Sequence, residues 1–168
     1  MIKQLRVLLV GSMCGLLLIA SPARSEGNAI QWKALQAAKI SLEKGLDAGQ
    51  QKGKPISAKF EVEDGKLQLS TYTAKDGKFS EVVVDHIGGK ISKSEEIKEG
   101  DDYKDATEQV QAMAKAKKSL RTAVAKAVAA NSGYRAVSAI PSLKDGKPVA
   151  TVVLQNASGT KSTVEKLD

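Results

Sequence analysis

Cysteine and histidine are nearly absent: one of each stands in 168 residues. A single thiol excludes an internal disulfide and any site built from several cysteines. A single imidazole excludes histidine-rich metal sites and leaves little for catalysis by a nucleophile, a histidine and a carboxylate. Aromatic residues make up only 4%, so a core has to be assembled from Val, Ile, Leu and Ala. Hydrophobic residues still reach 42%, enough for a globular core. No GxSxG, HExxH, phosphate-loop or GxGxxG pattern stands in a usable context. The composition predicts a protein that is not an enzyme and takes no cofactor or metal.

What is there begins with an address label. Residues 1–25 carry Lys3 and Arg6, then an apolar run from Val7 to Ala20, then small residues. That is the layout of a secretory signal peptide, with cleavage after Ala23 or after Ser25. The alternative is a retained anchor, but the run is shorter than the roughly 20 residues a spanning helix needs. Cys14 lies inside the run and leaves with it, which suits an oxidising compartment. The segment removes three basic residues and no acid, so the net charge falls from +7 to +4. The expectation is an exported protein, periplasmic or secreted, whose mature part does not span the membrane.

The rest of the chain repeats a pattern. Residues 29–48 place Trp32, Leu35, Ala38, Leu42 and Leu46 on one helical stripe. Three strands follow. Ile56, Ala58, Phe60 and Val62 alternate with polar residues, Asp64-Gly65 turns the chain, residues 66–74 return, Asp76-Gly77 turns again, and residues 79–85 form the third. Gly88-Gly89 leads into a short return at 90–92. Residues 98–111 read as a polar linker running into the next helix. Residues 105–130 read as that helix. A strand at 136–143 carries Pro141, which marks an edge or a bulge. Asp145-Gly146 and Ser158-Gly159 then punctuate two more strands. Ile56-Ser-Ala58 with Asp64-Gly-Lys66 recurs as Val137-Ser-Ala139 with Asp145-Gly-Lys147, at a constant offset of 81. The predicted fold is α+β: two tandem repeats, 26–97 and 112–168, each an amphipathic helix on a three- to four-stranded antiparallel meander. Each repeat is too small to be more than marginally stable alone, so one compact unit is expected.

Helix, glycine stop, meander with Asp-Gly turns, and then Val82-Val-Val-Asp85-His-Ile-Gly-Gly89-Lys90-Ile91 resembles the PepSY family. The first repeat carries the match over about residues 30–97. The second matches in its helix and first two strands and departs at the end, where Val164-Glu-Lys-Leu-Asp168 has no following Gly-Lys. The family is similar to segments in propeptides of thermolysin-like metallopeptidases and in small exported proteins. The resemblance implies a non-catalytic, propeptide-like module that binds or restrains a peptidase or another envelope protein. The tandem arrangement is also similar in fold to secreted β-lactamase inhibitor proteins. The alternative is a structural or sensing envelope protein that takes a small ligand, a metal ion or an anionic membrane surface.

Several residues are singled out. Asp64, Gly65, Asp76, Gly77, Asp145 and Gly146 are turn residues. Asp85 and Gly89 belong to the family-like motif, where Asp85 is expected to bond the backbone ahead of Gly88-Gly89. His86 follows Asp85 directly, and strand neighbours point to opposite faces, so the two do not form a base and its orienter. Tyr72 and Tyr134 are the candidate partner-binding residues, while Phe60 and Phe79 are expected in the core. Glu95, Glu96, Glu99, Asp101, Asp102, Asp105 and Glu108 cluster without the spacing of a calcium loop. Lys115, Lys117, Lys118, Arg121 and Lys126 give a basic helix face. It lacks the interleaved aromatics of a nucleic-acid binder, so a protein partner of the cell envelope is expected and nucleic acid is not. A monomer or a weak dimer, paired through edge strands near Pro141, completes the reading.

Overall fold

The structure, a computed structural model, describes residues 32–168. The signal peptide, Cys14 and both cleavage positions lie outside the described residues. The elements run α1 (Trp32–Leu35), α2 (Leu42–Gly49), β1 (Lys54–Glu63), β2 (Lys66–Lys75), β3 (Lys78–Val84), β4 (Ile91–Ile97), α3 (Gly100–Lys115), α4 (Leu120–Ala129), β5 (Arg135–Lys144), β6 (Lys147–Asn156) and β7 (Gly159–Lys166). All seven strands form one antiparallel sheet in the order β4-β3-β2-β1-β5-β6-β7. The class is α+β. The two expected sheets are one sheet, joined at the centre where β1 meets β5.

That junction is short. β1 and β5 pair only at Ala58 with Ala139 and Lys59 with Ser138. Beyond these pairs the strands part. Pro141 lies in the parted section, where β1 asks no hydrogen bond of it. Of the two expectations, edge or bulge, β5 is interior rather than an edge, and its bulge lies between Ala136 and Ser138, not at Pro141. The edges are β4 and β7.

The turns follow the chemistry of their residues. Asp64-Gly65, Asp76-Gly77 and Asp145-Gly146 all have positive φ at both positions, between 48° and 75°. That geometry matches the right-handed twist of the strands it joins.

Both long predicted helices are broken. Between α1 and α2, the N–H groups of Lys39 and Ile40 donate to the His86 carbonyl at 2.8 and 3.2 Å, and Ser41 caps α2 by accepting from Lys44 N. Between α3 and α4, the N–H groups of Lys117 and Lys118 donate to the Leu167 carbonyl at 2.7 and 2.9 Å, and Ser119 caps α4 by accepting from Thr122 N. In each case a strand-end carbonyl and a serine cap replace the intrahelical bonds that the break removes. Residues 98–111, expected as a linker, mostly belong to α3, and the expected short return at 90–92 is the seven-residue β4.

α2 and α4 pack side by side on the face carrying Leu69, Thr71, Ala139 and Val152. Leu42, Leu46, Leu120 and Val124 point into that layer and are at most 2% exposed. α2 approaches closely because Gly45 and Gly49 face β2. A Cβ at Gly49 would stand 2.4 Å from Thr71 Cγ2.

Candidate protein-binding groove

Register fixes which side chains share the sheet's second face. Antiparallel partners point the same way, so Ser57, Lys59, Glu61, Gln68, Ser70, Tyr72 and Glu81 lie together. They form a bonded polar floor. Lys59 Nζ is 2.8 Å from Glu61 and 5.3 Å from the centre of the Tyr72 ring. Ser70 Oγ donates to Glu81 at 2.7 Å, and Gln68 Nε2 donates to Ser70 Oγ at 2.9 Å. Burial alone would lower the Lys59 pKa. Its hydrogen bond to Glu61 and the attraction of Tyr72 and Glu61 outweigh that and raise it. Burial pushes the Tyr72 hydroxyl up to about 12, against the pull of Lys59.

α3 crosses this face where β1 and β5 part. Ser57 Oγ donates to Gln109 Oε1 at 2.6 Å. The Tyr103 ring meets Phe79 edge-on, with centroids 5.2 Å apart. Two hollows flank the helix and share Asp105, Gln109 and Ile140. The smaller, about 70 Å³, is lined by Lys59, Tyr72 and Asp102 as well. The larger, about 390 Å³, reaches Glu108, Pro141 and Leu143. Asp102, Asp105 and Glu108 fall at three-residue steps and so share one helix face. Ile140 is 44% exposed and Leu143 39%, while Tyr103, 41% exposed, lines neither hollow. The result is a groove with an acidic wall and exposed apolar side chains.

The residues singled out from sequence are distributed differently. Tyr72 is 8% exposed and packs in the core, so it offers no exposed aromatic anchor. Strand alternation puts it under Lys59 and α3, where it lines the smaller hollow. Tyr134 is half-buried against the core. Phe60 and Phe79 are core residues, 3% and 7% exposed. Asp64, Gly65, Asp76, Gly77, Asp145 and Gly146 sit at the hairpin tips and line neither hollow. Asp85 Oδ1 accepts from Ile87 N at 3.0 Å and Oδ2 from Gly88 N at 2.9 Å, and Gly89 N donates to the Asp85 carbonyl. These bonds from Ile87 and Gly88 hold its carboxyl below the usual value. His86 is half-buried; its carbonyl receives Lys39 and Ile40, and its Nδ1 is buried without a hydrogen-bond partner. With its carboxylate turned to the backbone, Asp85 does not orient the imidazole.

The acidic run is divided. Glu95 and Glu96 stand on β4, Glu99 holds the N-cap position of α3 without a side-chain bond to it, and Asp101, Asp102, Asp105 and Glu108 belong to α3. Among the described residues no group of three or more His, Cys, Asp or Glu could hold a metal ion. The basic face is mostly committed to this chain. Arg121 pairs with Asp47, Lys126 with Glu165, Lys118 bonds the Asp168 carbonyl and Lys115 reaches the Gly146 carbonyl. A cleft of about 330 Å³ between α2 and the α3–α4 break holds Lys54, Lys117, Lys118 and Arg121. Lys54 is also spoken for, donating to the Met113 carbonyl at 2.9 Å. Among the described residues no helix is long and apolar enough to cross a membrane. No family model, curated protein or solved structure matches the chain.

Proposed function

We propose that the chain is an exported, non-catalytic binding module made of two PepSY-like units in tandem, and that the α3–β5 groove receives a segment of a protein partner in the cell envelope. A peptidase that the module restrains is the first candidate. The groove carries this reading: Ile140 and Leu143 are exposed beside Asp102, Asp105 and Glu108. Apolar anchors with one sign of charge fit a partner segment that is basic and apolar.

Several equivalences support the tandem reading. Strand features recur at the offset of 81: the Asp-Gly turns, the bulges at Pro55/Ser57 and Ala136/Ser138, and the helix-receiving carbonyls of His86 and Leu167. Helix features recur at 78: the caps Ser41 and Ser119, and the donor pairs Lys39/Ile40 and Lys117/Lys118. Ala58 pairs with its own equivalent, Ala139, as a local two-fold axis through the junction requires.

The test is crosslinking of the purified protein in the host's envelope extract, followed by a cleavage assay with the captured peptidase. The expected result is one captured peptidase whose peptide cleavage slows when the protein is added. Ile140→Asp and Leu143→Asp alter exposed side chains and should weaken that capture by about tenfold or more, as loss of a buried anchor does. Capture unaffected by both changes would remove the groove from the proposal.

A further inference from the structure

We propose that β7 is a docking edge for a second copy of this chain, paired antiparallel about Thr163 to join two sheets into one. This surface is separate from the α3–β5 groove.

The outward groups of β7 follow from one bond. Leu167 donates its N–H to the Pro148 carbonyl at 3.0 Å. Antiparallel pairs alternate between bonded and unbonded, so Lys161, Thr163 and Glu165 spend their backbone groups on β6. Thr160, Ser162, Val164 and Lys166 therefore aim theirs away from the sheet. On the other side of the molecule the matching edge, that of β3, is covered by β4. Among the described residues nothing covers β7.

β7 lacks two of the usual guards of an edge, although Lys161, Glu165 and Lys166 place charge along it. It contains no proline, and its pairing with β6 runs unbroken from Val149–Lys166 to Asn156–Gly159. Val164 is 56% exposed.

The choice of occupant rests on self-complementarity. Pairing about Thr163 places Ser162 opposite Val164 of the second copy, so the outward N–H and C=O groups meet. It also places Lys161 opposite the second copy's Glu165, twice by symmetry. Within the chain Lys161 bonds Asn131 Oδ1 at 2.5 Å and Glu165 pairs with Lys126 at 2.7 Å, so the cross-strand pair adds to these partners. At the centre Thr163 stands opposite Thr163; its Oγ1, buried and without a hydrogen-bond partner within the chain, reaches the axis only by a turn about χ1. A threonine pair across the axis is a known stabilising cross-strand contact.

The test measures amide hydrogen exchange and sedimentation of the purified protein from low micromolar to millimolar concentration. Lys161, Thr163 and Glu165 should be protected throughout. Ser162 and Val164 should exchange fast when dilute and about tenfold or more slowly when concentrated, as the mass doubles. Ser162→Pro removes an outward N–H that β6 does not use, and should stay monomeric at every concentration. If that variant loses protection at Lys161 and Thr163, Thr160→Pro takes its place. A mass that never rises, outward amides that stay fast, or a dimer that survives the proline would each overturn the proposal. So would a monomer whose β7 amides are protected only by an added extended peptide.

Discussion

The two halves of the molecule hold each other by the same device with different residues. Arg135 opens β5 and reaches back to the first half, where Nη1 donates to the Leu35 carbonyl at 2.9 Å and Nη2 to the Ile40 carbonyl at 3.0 Å. Lys54 opens β1 and reaches forward to the Met113 carbonyl at 2.9 Å. Lys54 and Arg135 stand 81 residues apart, Leu35 and Met113 78. Each half thus uses the first residue of its leading strand to secure the helix that precedes the break in the other. The guanidinium fork takes two carbonyls where the ammonium takes one. A reciprocal clamp explains how a junction of two strand pairs can hold one sheet together.

Breaking the clamp separates its two arms. Arg135→Ala leaves two carbonyls without their charged donor and should cost about 3 kcal/mol, from roughly 1.5 kcal/mol or more per charge-assisted bond. Lys54→Ala removes one such bond and should cost about half as much. Arg135→Lys should fall between wild type and Arg135→Ala, since an ammonium serves one carbonyl well. Urea unfolding curves check this. Equal losses from both alanine variants would remove the distinction between the arms.

The helices differ where they touch the sheet. α2 uses Gly45 and Gly49; at the equivalent positions α4 has Ala123 and Ala127. Leu69 explains Gly45, where a Cβ would stand 2.7 Å from Leu69 Cδ2, and Thr71 explains Gly49. Thr71 is fully buried, its Oγ1 donates to the Gly45 carbonyl at 3.1 Å, and its Cγ2 occupies the space a Cβ at Gly49 would need. β6 has Val152 there instead. Gly49→Ala should therefore destabilise by about 2 kcal/mol through overpacking, although alanine favours helices. Ala127→Gly should cost about 1 kcal/mol from propensity and lost burial. Thermal denaturation of both variants measures the contrast. A stabilised Gly49→Ala would mean that α2 can shift off Thr71.

Much of the sheet was legible because its signals are local. Asp-Gly turns and alternating apolar residues located the strands from Lys54 to Val84 and from Arg135 to Lys166 to within a few residues. The helix breaks were not legible, because Lys39, Ile40, Lys117 and Lys118 continue the helical pattern. What stops the helices is the carbonyl of His86 or Leu167, contributed from the far end of a meander. Ser41 and Ser119, each followed by Leu, were the local hint. β4 was hidden by its composition: past the short return ending at Ser92, Lys93, Ser94, Glu95 and Glu96 read as a connector, since an edge strand needs no second apolar face. The α3–β5 groove arises from long-range packing. Ile140 and Leu143 read as ordinary strand residues until β1 is seen to leave them. The burial of Tyr72 was not legible for the converse reason, since it depends on what α3 and Lys59 do above it, although the residue does line the smaller hollow.

The smallest predicted effect concerns the loop that presents the receiving carbonyl. In the first half Asp85 fixes that loop by accepting from Ile87 and Gly88. The equivalent residue in the second half is Lys166, which has no carboxylate to titrate. Bonds from Ile87 first, and Gly88 next, favour the ionised form of Asp85 and lower its pKa below 3.8. A carboxylate depressed in the folded state adds stability above its unfolded value, and that contribution is lost as pH falls through the folded value. Acid should therefore loosen the first tie, at His86, while the second, at Leu167, feels no such change. Amide resonances report this directly. Gly88 N–H should shift with a midpoint below 3.8, and Asp85→Asn should abolish the shift. The Leu167 amide should not follow that titration in either protein. A midpoint at or above 3.8 would mean that the two backbone bonds do not hold the carboxylate in solution. The two loops would then differ in sequence and not in what secures them.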